Sequence, residues 1–92
     1  MKLVYTDDAI EDLMRLREFI AVHNPSVAAR IAAELVSKIE LLTDFPKLGT
    51  PVELAPLPET VRDMVFGKYI VRYSIHPSTI IILRIWHGLE DK

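Results

Sequence analysis

VRDMVFGKYIVRYSIHPSTIIILRIW, residues 61–86, decides the fold. Three runs rich in β-branched and aromatic residues, 61–66, 68–75 and 79–86, are separated by Gly67 and by His76-Pro77-Ser78. Such runs with turn residues between them predict three strands joined by hairpins. Side chains alternate between the faces of a strand. In KYIVRYSI one face carries Tyr69, Val71, Tyr73 and Ile75, and the other Lys68, Ile70, Arg72 and Ser74. In TIIILRIWH strict alternation sets Ile81, Leu83, Ile85 and His87 against Ile80, Ile82, Arg84 and Trp86. Keeping Arg84 out of a dry core puts the Tyr69 and Ile81 sets together, because register follows the face that must be buried. The opposite face should then show Ile70, Arg72, Ile82, Arg84 and Trp86, with Arg62 and Met64 from the neighbouring strand. That surface is too apolar for bare solvent contact and holds three arginines, so it is a candidate binding face.

Upstream, KLVYT (2–6) alternates as a short strand. Thr6-Asp7-Asp8 offers capping oxygens and negative charge at a helix start. Ala9, Leu13, Leu16 and Ile20, widened by Ile10 and Phe19, predict a helix over about 7–22. His23-Asn24-Pro25 breaks and restarts the chain, with Asn as cap and Pro at the first helical position. A second helix over about 25–43 carries Ala28, Ile31, Ala32, Leu35, Ile39 and Leu42 on one face. So short a connection implies an antiparallel helical hairpin. FPKLG (45–49) closes it, and TPVELAPLPET (50–60), with three prolines, reads as a loop.

Ninety-two residues, half of them hydrophobic, make one domain over 1–92 with a single core. No Cys is present, which excludes disulfides and thiolate chemistry and fits a reducing cytoplasm. The start MKLVYTDDAI has no apolar stretch of signal-peptide length, and no run approaches the roughly 18 apolar residues of a membrane span. A cytoplasmic protein without membrane contact is expected. Eleven basic groups against thirteen acidic ones give a net charge of −2, where a protein living on a phosphate backbone shows a basic excess. Residues 1–45 hold five basic and eight acidic groups, and 46–92 hold six and five. Strong direct nucleic-acid binding is therefore not expected.

Among single residues, His87 has a side chain suited to proton transfer near neutrality. No carboxylate or second His is spaced to work with it, so it is read as the end of a strand at the edge of the site. His23 and His76 fall in turns, and the three histidines share no metal-ligand spacing; neither metal nor cofactor is expected. Tyr69 and Tyr73 are expected in the core with their hydroxyls at a polar rim. Asp7, Asp8, Glu11 and Asp12 read as a helix N-terminus matched to its dipole. Trp86 could anchor a partner or lie buried under the 50–60 loop.

The order β-α-α-β-β-β with these residues resembles the RelE/ParE superfamily of bacterial toxins, and the ParE-like branch most closely. The likeness lies in TDDAIEDLMRLREFI, HNPSVAARIAAELVSKIELL, FPKLG, VRDMVFGKYIVRYSI and IIILRIWHG, nearly the whole chain in order. The resemblance implies an α+β fold, a helical hairpin packed on one face of a small antiparallel sheet. It further implies the toxin of a type II toxin–antitoxin pair, silenced by a cognate ParD-like antitoxin with an acidic and apolar tail. ParE-like members target DNA gyrase, and RelE-like members cut mRNA on the ribosome.

RNA cleavage at a 2′-OH needs a base, an acid and cations for the pentavalent phosphate. In RelE-like members Lys and Arg of the sheet and a C-terminal Arg and Tyr fill these roles. On this sequence one catalytic Arg position falls at Ile70, and the basic group after the last strand falls near Leu89 or Glu90. No Tyr follows Tyr73, and only Arg62 matches a basic position. The tail GLEDK has Lys92 alone where ParE-like members often carry a basic residue. The expectation is gyrase inhibition by binding rather than catalysis, with Arg62, Ile70, Arg72, Arg84 and Trp86 as the antitoxin- or target-binding residues. The alternatives are a ribosome-dependent mRNA endonuclease and a toxin-like protein that has lost activity and only binds antitoxin.

Overall fold

The computed structural model describes residues 1–53 and 60–88. Its elements are β1 (Lys2–Tyr5), α1 (Asp7–His23), α2 (Pro25–Glu40), one 3-10 turn (Leu41–Thr43), β2 (Thr50–Pro51), β3 (Val61–Phe66), β4 (Tyr69–Ile75) and β5 (Thr79–His87). The Thr6 hydroxyl caps α1 by accepting from the Ala9 N–H at 3.0 Å and donates to the Leu83 carbonyl at 2.9 Å. One residue makes the interhelix turn. The Asn24 N–H donates to the Ile20 carbonyl at 2.9 Å, closing α1, and its side chain accepts from the Val27 N–H at 3.2 Å, opening α2 at Pro25. The last helical turn tightens after Glu40, so the expected helix over 25–43 is α2 followed by the 3-10 turn.

The sheet has the order β1-β5-β4-β3-β2. It is mixed rather than antiparallel: β1 pairs parallel with β5, from Lys2 opposite Thr79 to Tyr5 opposite Ile82. Parallel pairing needs a long crossover, which the helical hairpin and the following strands supply. Alternation in KLVYT reads the same in either direction, so sequence alone leaves this open. Thr50–Pro51, expected in a loop, adds a short edge strand to β3. Its proline suits an edge position.

The core lies between the hairpin and one sheet face, and contains Ala9, Leu16, Leu35, Ile39, Leu42, Met64, Val71, Tyr73, Ile80, Ile82 and Ile85. Two faces differ from expectation. The β4–β5 register shifts between Arg72 and Tyr73: Arg72 lies opposite Arg84 but Tyr73 opposite Ile82, which leaves Leu83 as an extra residue. A bulge of this kind inverts alternation on the bulged strand. Ile80 and Ile82 are therefore in the core and Ile81 is not, while Ile85 stays inside and Arg84 and Trp86 stay on the opposite face. On β3, Arg62 and Met64 pair with Tyr73 and Val71 on the core side, so the outer face receives Asp63 and Val65 instead. On α1, Ile10 and Phe19 are exposed, at 45% and 68%, and buried Asp12 takes a place beside β5.

Candidate binding face

The outer face of the sheet is built from Asp63 and Val65 of β3, Ile70 and Arg72 of β4, and Arg84 and Trp86 of β5. Arg72 stands directly opposite Arg84, and adjacent like charges repel unless offset. Each guanidinium is held by its own carboxylate. Arg72 donates from Nε and Nη2 to the two Asp63 oxygens at 2.8 and 3.0 Å. Asp63 lies opposite Arg72 on β3, a cross-strand pair that needs no distortion. The Arg72 guanidinium also lies 5.1 Å from the centroid of the Trp86 ring, within cation–π range. The Asp63 carboxylate raises the Arg72 pKa further.

Arg84 donates from Nε and Nη2 to Asp12 at 2.8 and 3.0 Å. The same carboxylate accepts from the Ile85 N–H at 2.9 Å and from Arg15 at 3.2 Å. β1 pairs with β5 only as far as Ile82, so the α1 cap and α1 supply the next partners along that edge: Thr6 at Leu83 and Asp12 at Ile85. Burial alone would raise the Asp12 pKa, but the bonds from Arg84, the Ile85 N–H and Arg15 outweigh it and hold it below the usual carboxylate range. Asp12 in turn raises the Arg84 pKa.

Of the residues expected at a binding face, the structure brings Ile70, Arg72, Arg84 and Trp86 to one side of the sheet and Arg62 to the other. Arg62 is buried and donates to the Gly49 carbonyl at 2.8 Å. Trp86 is only 8% exposed, with its ring against the Arg72 guanidinium. Val65, which the sequence reading left out, is 68% exposed on this face. Val65, Gly67, Lys68, Ile70, His87 and Gly88 line an open depression of about 350 Å³. His87 sits at its edge, stacked edge-on against Tyr69 with ring centroids 5.4 Å apart. Residues 54–59 and the tail after Gly88, including the acidic Glu90 and Asp91, lie outside the described residues.

Tyr73 lies in the core as expected, and Tyr69 is half-buried against it. Tyr73 is fully buried, and its hydroxyl donates to the Pro46 carbonyl at 2.6 Å and accepts from the Gly49 N–H at 2.9 Å. Burial raises its pKa. His23 stacks on Phe19, and the His76 ring is 2.9 Å from the Ser74 hydroxyl. Among the described residues there is no group of three or more His, Asp or Glu side chains placed to hold a metal ion, and no helix long and apolar enough to cross a membrane. Asp12 and Asp63 are the residues sequence reading missed. Asp12 looked like one more N-terminal helix carboxylate. Asp63 was legible only as the neighbour of Arg62 on the opposite side of β3.

A helical hairpin laid across a small sheet is the fold of the RelE/ParE toxin superfamily. The family described as the ParE toxin of the type II toxin–antitoxin system parDE matches residues 3–92, so the chain belongs to the ParE toxin family. It is 33% identical to Toxin RelE1 of Caulobacter vibrioides, over 91% of this chain and 89% of that one. Toxin RelE2 of the same organism is 31% identical, over 95% and 94%. A chain of the chromosomal ParDE TA system from P. aeruginosa superposes with a TM-score of 0.79, covering 95% of both chains at 22% identity. A chain of the RelBE2 toxin–antitoxin complex from Mycobacterium tuberculosis gives 0.69, with 97% and 92% covered at 25% identity.

Proposed function

We propose that this toxin acts in the cytoplasm by binding DNA gyrase rather than by catalysis, and is silenced by a small antitoxin with an acidic and apolar tail. The observation that carries this reading is the state of the sheet arginines. Arg72 is taken by Asp63, Arg84 by Asp12, and Arg62 faces inward onto a backbone carbonyl. Phosphoryl transfer needs cations aimed at the charge that develops on phosphate. Arginines neutralised by fixed carboxylates are poorly suited to that work. The same face offers Val65, Ile70 and the depression beside Lys68 and His87, which suit apolar side chains of a protein partner.

Antitoxin contact is proposed at Val65, Ile70 and Arg72, with Trp86 holding Arg72 in place and His87 at the rim. An antitoxin tail that folds on binding would lay its apolar residues there. The test is purified protein with gyrase and plasmid DNA. Accumulation of gyrase-cleaved DNA, with ribosome-bound mRNA left intact, supports the reading. The RelE-named relatives favour a second reading, the ribosome-dependent mRNA endonuclease. Mapped mRNA cleavage on induction without gyrase-linked breaks would replace the first reading with the second. Normal growth after induction without antitoxin would sink both and leave an antitoxin-binding protein without activity.

A further inference from the structure

Arg72 and Arg84 face each other across β4 and β5, two planar forks on one surface. A guanidinium fork binds a phosphate group through two parallel hydrogen bonds, and paired arginines are a common phosphate reader. The face therefore contains the parts of a phosphodiester clamp. The Nε–Nη2 edge of each fork is filled from within the fold. We propose that Asp63 is a specificity-determining residue: its carboxylate occupies the Arg72 fork and excludes nucleic-acid backbones from the outer face, reserving that face for a protein partner.

The two carboxylates are not equivalent. Asp12 is buried and also satisfies the Ile85 N–H, so its place is bound up with the fold. Asp63 is partly exposed, and its carboxylate bonds to the Arg72 fork. It occupies a cross-strand position outside the core. Replacing it frees Nε and Nη2 of Arg72 while the Trp86 ring still supports the guanidinium from its face. A phosphate approaching the intact face meets the Asp63 charge beside the fork. To use the Nε–Nη2 edge it must displace a bonded carboxylate. The exposed Val65 and partly exposed Ile70 nearby add nothing for a phosphodiester, whereas an apolar protein surface can cover them. The proposal deepens the reading of the toxin as a binder of protein. Its test uses neither gyrase nor antitoxin, so the failure of one is distinguishable from the failure of the other.

The experiment is fluorescence anisotropy with labelled oligouridylate RNA at low and at physiological salt. The proteins are the wild type, Asp63→Asn, Asp63→Asn with Arg72→Gln, and Glu18→Gln. Glu18 is exposed on α1, so its variant controls for the loss of one negative charge. The wild type and Glu18→Gln should bind weakly. Asp63→Asn should bind about tenfold tighter at low salt, with a salt dependence steeper by about one phosphate contact. Adding Arg72→Gln should return binding to the wild-type level. Trp86 is the only tryptophan of the chain and lies against Arg72, so its intrinsic emission should change when RNA binds Asp63→Asn. Circular dichroism melts establish that each variant is folded. If Asp63→Asn does not fold, Asp63→Ser is read by the same criteria. Wild type binding RNA as tightly as Asp63→Asn, an equal gain in Glu18→Gln, or a gain that survives Arg72→Gln would each overturn the proposal.

Discussion

Asp12 and Arg84 lie 72 residues apart and are joined by two hydrogen bonds of 2.8 and 3.0 Å, with the Ile85 N–H on the same carboxylate at 2.9 Å. One side chain of α1 thus completes the part of the β5 edge that β1 does not reach. Asp12→Ala leaves the Ile85 N–H without its acceptor. A stability loss of about 1–3 kcal/mol is expected from the unsatisfied group and the lost bonds. In a domain of this size that lowers Tm by about 4–8 °C for each kcal/mol. Thermal unfolding of Asp12→Ala beside Asp12→Asn measures it, and an unchanged Tm for both would show that the contact is not stabilising.

Acid should weaken the same contact. The Asp12 pKa is lowered in the folded protein, so its contribution is fully present above the unfolded carboxylate value of about 3.9 and is lost as pH falls through the folded value. Urea unfolding between neutral pH and acid should show stability falling across this window. Asp12→Asn should flatten part of that slope. An equally steep fall in the variant would assign the effect to other carboxylates.

Tyr73→Phe removes one hydroxyl that serves two partners, the Pro46 carbonyl and the Gly49 N–H. The ring volume is kept, so only polar terms change. A loss of about 1–3 kcal/mol is expected because the buried Gly49 N–H is left unpaired. Gly49→Ala should be worse, since a Cβ there would lie 2.6 Å from the Asp63 carbonyl oxygen, a backbone atom that cannot swing away. Denaturant midpoints rank the two.

Val65→Lys tests the binding face without touching the core. Val65 is exposed, so stability should stay within about 0.5 kcal/mol of wild type. Antitoxin affinity, measured by calorimetry on the purified pair, should drop by about tenfold or more if the outer face is the contact surface. Arg84→Glu is a poorer probe. It sets a carboxylate against Asp12, so weakened antitoxin binding could come from a disturbed fold.

Thr6→Ala removes the α1 cap and the hydroxyl that donates to Leu83. About 0.5–2 kcal/mol should be lost. Hydrogen exchange should show the first turn of α1 and the Leu83 region opening together. Faster exchange in α1 alone would separate the two contacts.

Much of this protein could be read from residue order. Thr6, Asn24 and Pro25 mark the helix boundaries because capping is local chemistry, decided within a few residues. The period of Ala28, Leu35, Ile39 and Leu42 shows which side of α2 is dry. Gly67 and His76-Pro77-Ser78 divide the last strands. Arg72 and Arg84 could be placed on one face because Arg84 must stay out of the dry core.

The tertiary structure decided what depends on a partner segment. Leu83 became an extra residue against β4, and one unmatched residue reversed which isoleucines of β5 enter the core. Alternation within a strand carries no mark of where the opposing strand slips. Arg62 and Asp63 exchanged faces for a related reason: either side of β3 could be dry until Met64 joined Val71 and Tyr73 in the core. Asp12 reads as a solvated helix carboxylate until α1 is laid along the open edge of β5. Local propensity set the elements of this chain; the register between distant segments decided which charges met, and so which surface was left for a partner.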